Sequence, residues 1–440
     1  MSITENRALP SYHTSIVLLV AVFFTPLLLN IVAFQLPFDV VLLNYLFATI
    51  FILSSIRIPR QTDNTVIRFF VWICLIYIFM GFINLVRDGY GLLSFLGRHY
   101  SIPVALGIIA FFLRTNPTQR KAIELKFVYA MSVLFLVQLV FSIYESFYFS
   151  DFIVNSYDWN TANKTLEYFP ALELSDRLQI DFFFNQLNIP FQMTFSGMLG
   201  QHNHWGTQLP FYFLLFGYTY FATERKNKYF LVLMGFVAVS SLLNTSRFGM
   251  IAIFVTGVFF FFILSTYSKN FKRFVGISVL AVLFFYINVI IENIIIYMAL
   301  TDTFSTRIDT WDILGSIAFD RTILSTLFGS PFKELRLISQ KLDWVDYENL
   351  GFTLIFERGL PYALLFVSFL GVILKNAGKL KQPEKLMVWL LVTNMILVSL
   401  WSNVLFRFTS FGLVAVMLCI AFLPTEEIES EVKTVLQKTL

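Results

Sequence analysis

Long apolar runs separated by short polar connections make up most of this chain. An α-helix needs about 17 to 25 apolar residues to cross roughly 30 Å of hydrocarbon, and runs of that length recur along the whole sequence. We predict twelve membrane-spanning helices, at residues 15–35, 39–56, 66–86, 92–113, 127–148, 205–222, 229–245, 248–267, 274–298, 351–374, 386–405 and 407–423. The fourth is the least regular, because Arg98, His99 and Pro103 interrupt it. The pattern predicts an all-α polytopic integral membrane protein that forms a single transmembrane domain over residues 1–440.

Composition excludes a soluble globular domain. The chain is 57% hydrophobic and 14% charged, and its mean hydropathy is +0.72, whereas about a quarter of the residues of a soluble domain are charged. The net charge of +4 comes from short basic clusters between apolar runs, which argues against a nucleic-acid-binding surface. Cys74 and Cys419 lie inside apolar runs at opposite ends of the chain, so we expect both to serve in packing.

Lysine and arginine residues collect in alternate connections. Seventeen of them lie in the even-numbered connections and four in the short odd-numbered ones. Because cytoplasmic loops carry the positive excess, both termini are predicted to be cytoplasmic. The two long polar segments, residues 149–204 and 300–350, then lie on the outer face of the membrane, which in a bacterium means the periplasm or the cell exterior. Residues 424–440 predict a short amphipathic helix on the cytoplasmic side.

The second outer loop is expected to be partly helical. Apolar residues recur at helical spacing around Trp311, which predicts an amphipathic helix lying on the outer leaflet. On such a helix Arg307, Asp309, Asp312 and Arg321 could form the solvated face, and we favour that role for the two aspartates. Arg307 lies at the end of the loop nearest the preceding span and could instead contact a lipid-borne phosphate.

Arg247 lies in a tight outer turn and opens a predicted span. A lone interfacial arginine often extends its guanidinium to the water layer without any further role. At a helix N-terminus, however, backbone N–H groups already favour an anion, and a guanidinium adds a bidentate phosphate contact. Both interpretations stay open from the local sequence.

Glu348 and Asn349 end the second outer loop. A carboxylate beside aromatic residues at a membrane face can serve as the general base that takes a proton from an attacking hydroxyl. The alternative is a helix start, in which Asp346 caps the helix and Glu348 lies in its first turn. The two roles are compatible.

Glu357, Arg358 and Gly359 follow inside the next apolar run. Adjacent residues on a helix do not face each other, so no ion pair is expected between the two charged side chains. We predict a kink or break near Gly359.

Two histidine-containing stretches remain. His202-Asn203-His204 has no accompanying carboxylate or thiol pattern, so we favour hydrogen bonding at a helix start over a metal site. Arg98-His99 lies in an otherwise apolar region, and charges within a membrane are rarely without a function.

Four stretches in the second half of the chain stand out by their order and their predicted outer-face position: Gly200-Gln201-His202-Asn203-His204-Trp205-Gly206; Thr245-Ser246-Arg247-Phe248-Gly249; Arg307-Ile308-Asp309-Thr310-Trp311 with Leu327-Phe328-Gly329-Ser330-Pro331-Phe332; and Glu348-Asn349 with Glu357 and Gly359. They resemble the Gly-His-x-Asn segment, the Ser-Arg-x-Gly/Ala turn, the Arg-x3-Trp helix with its glycine turn, and the His-x10-Gly element of the bacterial O-antigen polymerases and O-antigen ligases. Ligases of that family place histidine where this chain has Glu348, whereas polymerase-type members often carry a carboxylate there, which favours a polymerase.

The resemblance implies a membrane glycosyltransferase whose donor and acceptor are undecaprenyl-diphosphate-linked glycans. It implies that Arg247 and Arg307, helped by Arg98, hold the diphosphate and that Glu348 is the general base. Residues expected to bind substrate are Arg98, His99, Asn203, Trp311 and Asn349. No metal or other cofactor is needed if arginines supply the positive charge. A chain-length regulator and a flippase are candidate partners.

Two other functions stay open. A ligase would transfer the finished glycan to a lipid or protein acceptor. A polysaccharide flippase or secondary transporter also has about twelve spans, but transporters place polar residues at the middle of the membrane, often in repeated halves. Here the charges concentrate in the outer loops and the sequence shows no internal repeat.

Overall fold

The computed structural model describes a set of helical segments rather than the whole chain. The described residues are 64–88, 101–115, 117–147, 202–223, 227–244, 247–265, 267–278, 281, 311–318, 320–331, 349–401 and 410–423. Of these residues 89% are helical, and none of them forms a strand. The all-helical class predicted from the sequence therefore holds for this part of the chain.

Eleven α-helices have both ends within the described residues. They are α1 Thr65–Asp88, α2 Ser101–Arg114, α3 Pro117–Phe147, α4 His202–Ala222, α5 Lys228–Asn244, α6 Arg247–Phe259, α7 Ile323–Phe328, α8 Leu350–Arg358, α9 Leu360–Ala377, α10 Glu384–Trp401 and α11 Ser410–Phe422. Helix α6 continues as a π-helical turn, Phe260–Leu264. Residues 269–278 and 311–318 are also helical, and the second of these segments is called the Trp311 helix below.

Three of the described helices are long and apolar enough to cross a bilayer: Thr65–Arg87, Arg120–Val140 and Leu360–Ala377. Large apolar side chains are exposed on them, including Trp72, which is 60% exposed, and Val367, which is 63% exposed. A water-soluble surface rarely carries so much apolar area in one place. These helices indicate a membrane protein.

Several predicted spans coincide with observed helices, and two differ in an informative way. The predicted span 127–148 belongs to α3, which begins at Pro117, because a helix continues through polar turns outside the apolar run. The predicted span 351–374 is divided into α8 and α9 at Gly359, as the sequence led us to expect. The predicted spans 15–35 and 39–56, most of 274–298 and the tail 424–440 lie outside the described residues.

Helix α11 lies at the centre of the described core. Every residue from Ser410 to Phe422 is buried, as expected of a helix that is apolar all round and surrounded by other helices. The ring of Phe411 packs on Phe70 of α1 at 5.0 Å between centroids, and Phe70 stacks on Phe369 of α9 at 5.5 Å. Cys74 and Cys419 are free and buried in this core, in agreement with the packing role predicted for them.

Candidate functional site

Two glycine turns that are distant in the chain meet backbone to backbone. Gly329 follows α7 with φ 86°, and Gly359 separates α8 from α9 with φ 87°. A Cβ atom on Gly329 would overlap the carbonyl of Glu357, and one on Gly359 would overlap the carbonyl of Leu327. Only glycine therefore combines this backbone conformation with so close an approach. We call this contact the glycine junction.

The local sequence explains why both helices stop at the junction. Thr322 caps the start of α7: its hydroxyl oxygen accepts a hydrogen bond from the backbone N–H of Ser325 at 3.2 Å. Gly329 caps the end of the helix. Immediately after the turn, the backbone N–H of Ser330 donates to the carbonyl oxygen of Phe356 in α8 at 2.6 Å. The middle of the second outer loop is thus bonded directly to the end of α8.

Two side chains of α1 join both sides of the junction. The Asn84 amide nitrogen donates to the carbonyl oxygen of Phe328 at 2.9 Å and to that of Glu357 at 2.8 Å. The Arg87 guanidinium donates to the carbonyl oxygen of Gly329 at 2.7 Å and to the amide oxygen of Asn84 at 3.1 Å. Since these residues lie one helical turn apart, they reach the junction from the same face of α1.

Arg321 binds backbone carbonyls of both α7 and α8. Its guanidinium donates to the carbonyl oxygens of Ile355 at 2.9 Å, Phe356 at 3.4 Å and Ser325. The guanidinium carbon also lies 4.9 Å from the centre of the Phe356 ring. A cation is favourable here because the last carbonyls of a helix carry partial negative charge.

Arg358 is a buried cation beside the junction. It is only 3% exposed, its guanidinium carbon lies 4.2 Å from the centre of the Tyr77 ring, and it donates to the carbonyl oxygen of Glu357 at 2.8 Å. Its Nη2 also lies 3.8 Å from the Glu357 carboxylate. The sequence-based expectation that these neighbours do not pair is therefore wrong, because α8 ends at Arg358 and a long side chain at a helix end can turn back along the chain.

The Trp311 helix covers the junction on one side. Trp311, Ile317 and Ala318 pack around the buried pair formed by Leu314 and Phe356. This is the apolar stripe predicted from the sequence. It connects the first part of the second outer loop to the same helix, α8, that receives the glycine turn.

Asn349, predicted to bind substrate, has a clear structural role. Its side-chain oxygen accepts a hydrogen bond from the backbone N–H of Phe352 at 3.2 Å, and its side-chain nitrogen donates to the carbonyl oxygen of Leu400 at 2.9 Å. The helix cap is thus Asn349 and not Asp346, because α8 begins at Leu350. The second bond fixes the start of α8 against α10.

The remaining predicted residues are described in part or not at all. Arg247 is the first residue of α6 and Asn203 lies in the first turn of α4, as the turn and helix-start predictions require, but their side chains lie outside the described part of the structure. Glu348, Arg307, Arg98 and His99 also lie outside it.

Sequence reasoning missed the residues that hold the junction together. Arg87 is one of the four basic residues in the short odd-numbered connections and contributed only to the predicted topology, whereas Arg321 was a candidate for the solvated face of the Trp311 helix. A signal was present for the first: Asn84 and Arg87 are polar residues one turn apart near the end of an otherwise apolar helix, and polar pairs of that kind commonly face protein rather than lipid. For Arg321 no local pattern identifies the carbonyl groups that it binds.

Comparison with known proteins identifies no relative: no protein-family model, no curated protein and no solved structure matches this chain.

Proposed function

We propose that this protein is a membrane glycosyltransferase that polymerises undecaprenyl-diphosphate-linked oligosaccharide repeat units into O-antigen or another surface polysaccharide on the periplasmic face. The observation that carries the proposal is the glycine junction. The turn at residues 327–332 and the Glu357–Gly359 segment, which we identified separately from their family resemblance, are in direct contact through Gly329 and Gly359. Motifs that serve one site are expected to meet in space.

The wider architecture belongs to the same proposal. Twelve spans with both termini in the cytoplasm put the loops 149–204 and 300–350 on the periplasmic side of the bacterial inner membrane, where a lipid-linked glycan would be available after a flippase has moved it across. A chain-length regulator is a further candidate partner. The three described helices that can cross a membrane are compatible with this arrangement.

The chemistry required of such an enzyme is modest, because diphosphate is a good leaving group. The acceptor hydroxyl oxygen attacks the anomeric carbon of the donor sugar, the bond from that carbon to the diphosphate oxygen breaks, and the hydroxyl proton passes to a base. We assign the base role to Glu348. Arg247, Arg307 and Arg98 would stabilise the charge that develops on the diphosphate, with His99, Asn203 and Trp311 binding the substrate around it.

The described residues support this assignment through positioning. Glu348 directly precedes Asn349, which is bonded to both α8 and α10, and so it is attached to a fixed point. Arg87, Arg321 and Asn84 hold the middle of the loop at the junction. A loop held at these two points has fewer conformations open to it, which favours the single geometry that transfer between two large substrates requires.

The test is polymer formation by an Arg307→Ala variant in a deletion strain. We expect the variant to insert into the membrane in normal amounts and to leave single repeat units on the lipid acceptor, because the diphosphate charge is no longer neutralised. Asp309→Ala is the matched control on the same loop, and it should make polymer of normal length. Normal polymer from Arg307→Ala would contradict the assigned role.

The same gels distinguish a polymerase from a ligase. Loss of a polymerase leaves one repeat unit on the lipid acceptor, whereas loss of a ligase leaves none. A deletion strain without any transferred repeat unit would favour the ligase alternative. Accumulation of the lipid-linked unit on the cytoplasmic side would favour a flippase.

A further inference from the structure

A second group of polar side chains lies inside the helix bundle, away from the glycine junction. Trp205 and Tyr212 of α4 pack against Phe135 of α3, with ring centroids 5.8 and 5.6 Å apart. Gln138 follows Phe135 by one turn and therefore lies on the same face of α3. All three polar residues are fully buried, at 0% exposure. We call Gln138, Trp205 and Tyr212 the Gln138 cluster.

The polar atoms of this cluster have no hydrogen-bond partners among the residues that the structure describes. This applies to both amide atoms of Gln138, the indole nitrogen of Trp205 and the hydroxyl of Tyr212. Burying such groups without a partner costs about 1–3 kcal/mol each. Four buried atoms without partners among the described residues are too costly to keep unless something else bonds to them.

A proline adds a further acceptor next to Trp205. Pro210 lies inside α4 and has no N–H group, so the carbonyl of Gly206, four residues earlier, loses its usual helical donor. A proline is tolerated within a membrane helix where another group bonds to the freed carbonyl. The carbonyl of Pro210 itself accepts from the side-chain amide of Asn394 in α10, at 3.5 Å.

The chemistry of these atoms defines what they can bind. The Gln138 nitrogen and the Trp205 indole donate, the Gln138 oxygen and the Gly206 carbonyl accept, and the Tyr212 hydroxyl does both. None of these side chains carries a charge near neutral pH. A bound ion would lose its hydration free energy without an opposite charge to compensate for it. A neutral hydroxyl oxygen, which donates and accepts, fits all of them.

We propose that the Gln138 cluster binds neutral hydroxyl oxygens inside the bundle, supplied either by resident water molecules or by the hydroxyls of a sugar. The site lies near the start of α4, the helix that begins at His202. The inference does not rest on the proposed transferase activity, since the unpaired atoms are present whatever the protein does.

Radiolytic hydroxyl-radical labelling of the full-length protein in nanodiscs tests the proposal. Radicals form from water, so a buried aromatic ring is labelled quickly only when water is bound beside it. Tyr362 is the internal reference, because it is 1% exposed and its hydroxyl already donates to the carbonyl oxygen of Ile73 at 3.3 Å. We expect several-fold faster labelling of Tyr212 than of Tyr362. Equal, slow labelling of the two tyrosines would overturn the proposal.

A Gln138→Met variant adds a second measurement, because methionine keeps the volume of glutamine and removes both polar atoms. We expect Tyr212 labelling to fall to the level of Tyr362 and the melting temperature to drop. A variant that is more stable, with unchanged Tyr212 labelling, would show that the Gln138 amide binds no hydroxyl oxygen and would overturn the proposal. If this variant fails to fold, the comparison of the two tyrosines in the unaltered protein still decides the question.

The source of the hydroxyl follows from labelling in the presence of a probe sugar, N-acetylglucosamine. Protection of Tyr212 by the added sugar would identify sugar hydroxyls as the ligand. Fast labelling that the sugar does not change would identify resident water. Both results support a hydroxyl-binding cluster and assign its natural occupant.

Discussion

The glycine junction and α11 hold helices together in opposite ways. Around α11 every residue from Ser410 to Phe422 is buried, and the contacts are those of apolar side chains. At the junction, backbone carbonyls receive hydrogen bonds from Asn84, Arg87 and Arg321. Lipid tails are as apolar as leucine, so an apolar side chain gains little free energy when it moves from lipid to a contact between two helices. Apolar burial therefore contributes little to the choice of helix partners. The polar contacts specify which segments meet, whereas α11 provides close packing.

This difference predicts different consequences for damage to the two regions. Damage to α11 should weaken the whole bundle without changing the geometry of the outer loop. Damage to the junction should release the middle of that loop and so reduce activity even while the bundle stays folded.

The largest effect is expected from Gly359→Ala. The change imposes an unfavourable φ of 87° on alanine, at a cost of about 1–3 kcal/mol, and it adds an overlap with the carbonyl of Leu327. We expect loss of polymer formation and a lower melting temperature in detergent. Gly371→Ala in α9 is the matched control, because a Cβ atom there meets no other atom within 4 Å. Equal behaviour of the two variants would rule out a role for the glycine contact.

Leu418→Ala should reduce stability alone and leave polymer formation intact. Leu418 is fully buried in α11, and replacing a buried leucine by alanine typically costs about 2–5 kcal/mol through lost contacts and an empty cavity. Leu364→Ala, at a position that is 58% exposed on α9, should leave the melting temperature almost unchanged. Below its melting temperature the Leu418 variant should retain activity; selective loss of activity would break the distinction between the two regions.

Arg87→Ala should cost about 1–3 kcal/mol, because it leaves the carbonyl oxygen of Gly329 and the amide oxygen of Asn84 without their donor. The measurement is thermal unfolding together with polymer length. Arg68→Ala, at an exposed position on the same helix, controls for the loss of one positive charge. We expect Arg87→Lys to recover only part of the loss, because an ammonium group lacks the planar fork of a guanidinium.

The smallest effect is expected from Glu357→Gln. Its side chain is 19% exposed, and its carboxylate lies 3.8 Å from the Arg358 guanidinium, which is too far for a hydrogen bond, so it should contribute less to the junction than the hydrogen-bonded groups do. The contacts of Asn84 and Arg358 with residue 357 use its backbone carbonyl, which the substitution preserves. A drop in melting temperature as large as that of Arg87→Ala would show that the carboxylate, and not the backbone, holds the junction.

Some features of the site could be predicted from the pattern of residues over a few positions of the sequence. The break at Gly359 was predictable because an apolar run contains a charged pair followed by glycine and proline. The apolar face of the Trp311 helix was predictable from its spacing, because residues three and four apart share one side of a helix. The cap at Asn349 was misplaced at Asp346, since several nearby residues could equally cap a helix and only the backbone decides where it begins.

The sequence by itself determined the helical class, the apolar faces and the positions where glycine interrupts them, because these follow from spacing and backbone preference over a few residues. It also supplied the resemblance on which the proposed function rests. Only the tertiary structure decided that Gly329 lies against Glu357, that Arg87 and Arg321 bind carbonyl groups, and that the polar atoms of Gln138 lie unpaired in the interior. Such contacts join segments that are distant in the chain, and their partners are largely backbone atoms, which every residue possesses and no side-chain pattern marks.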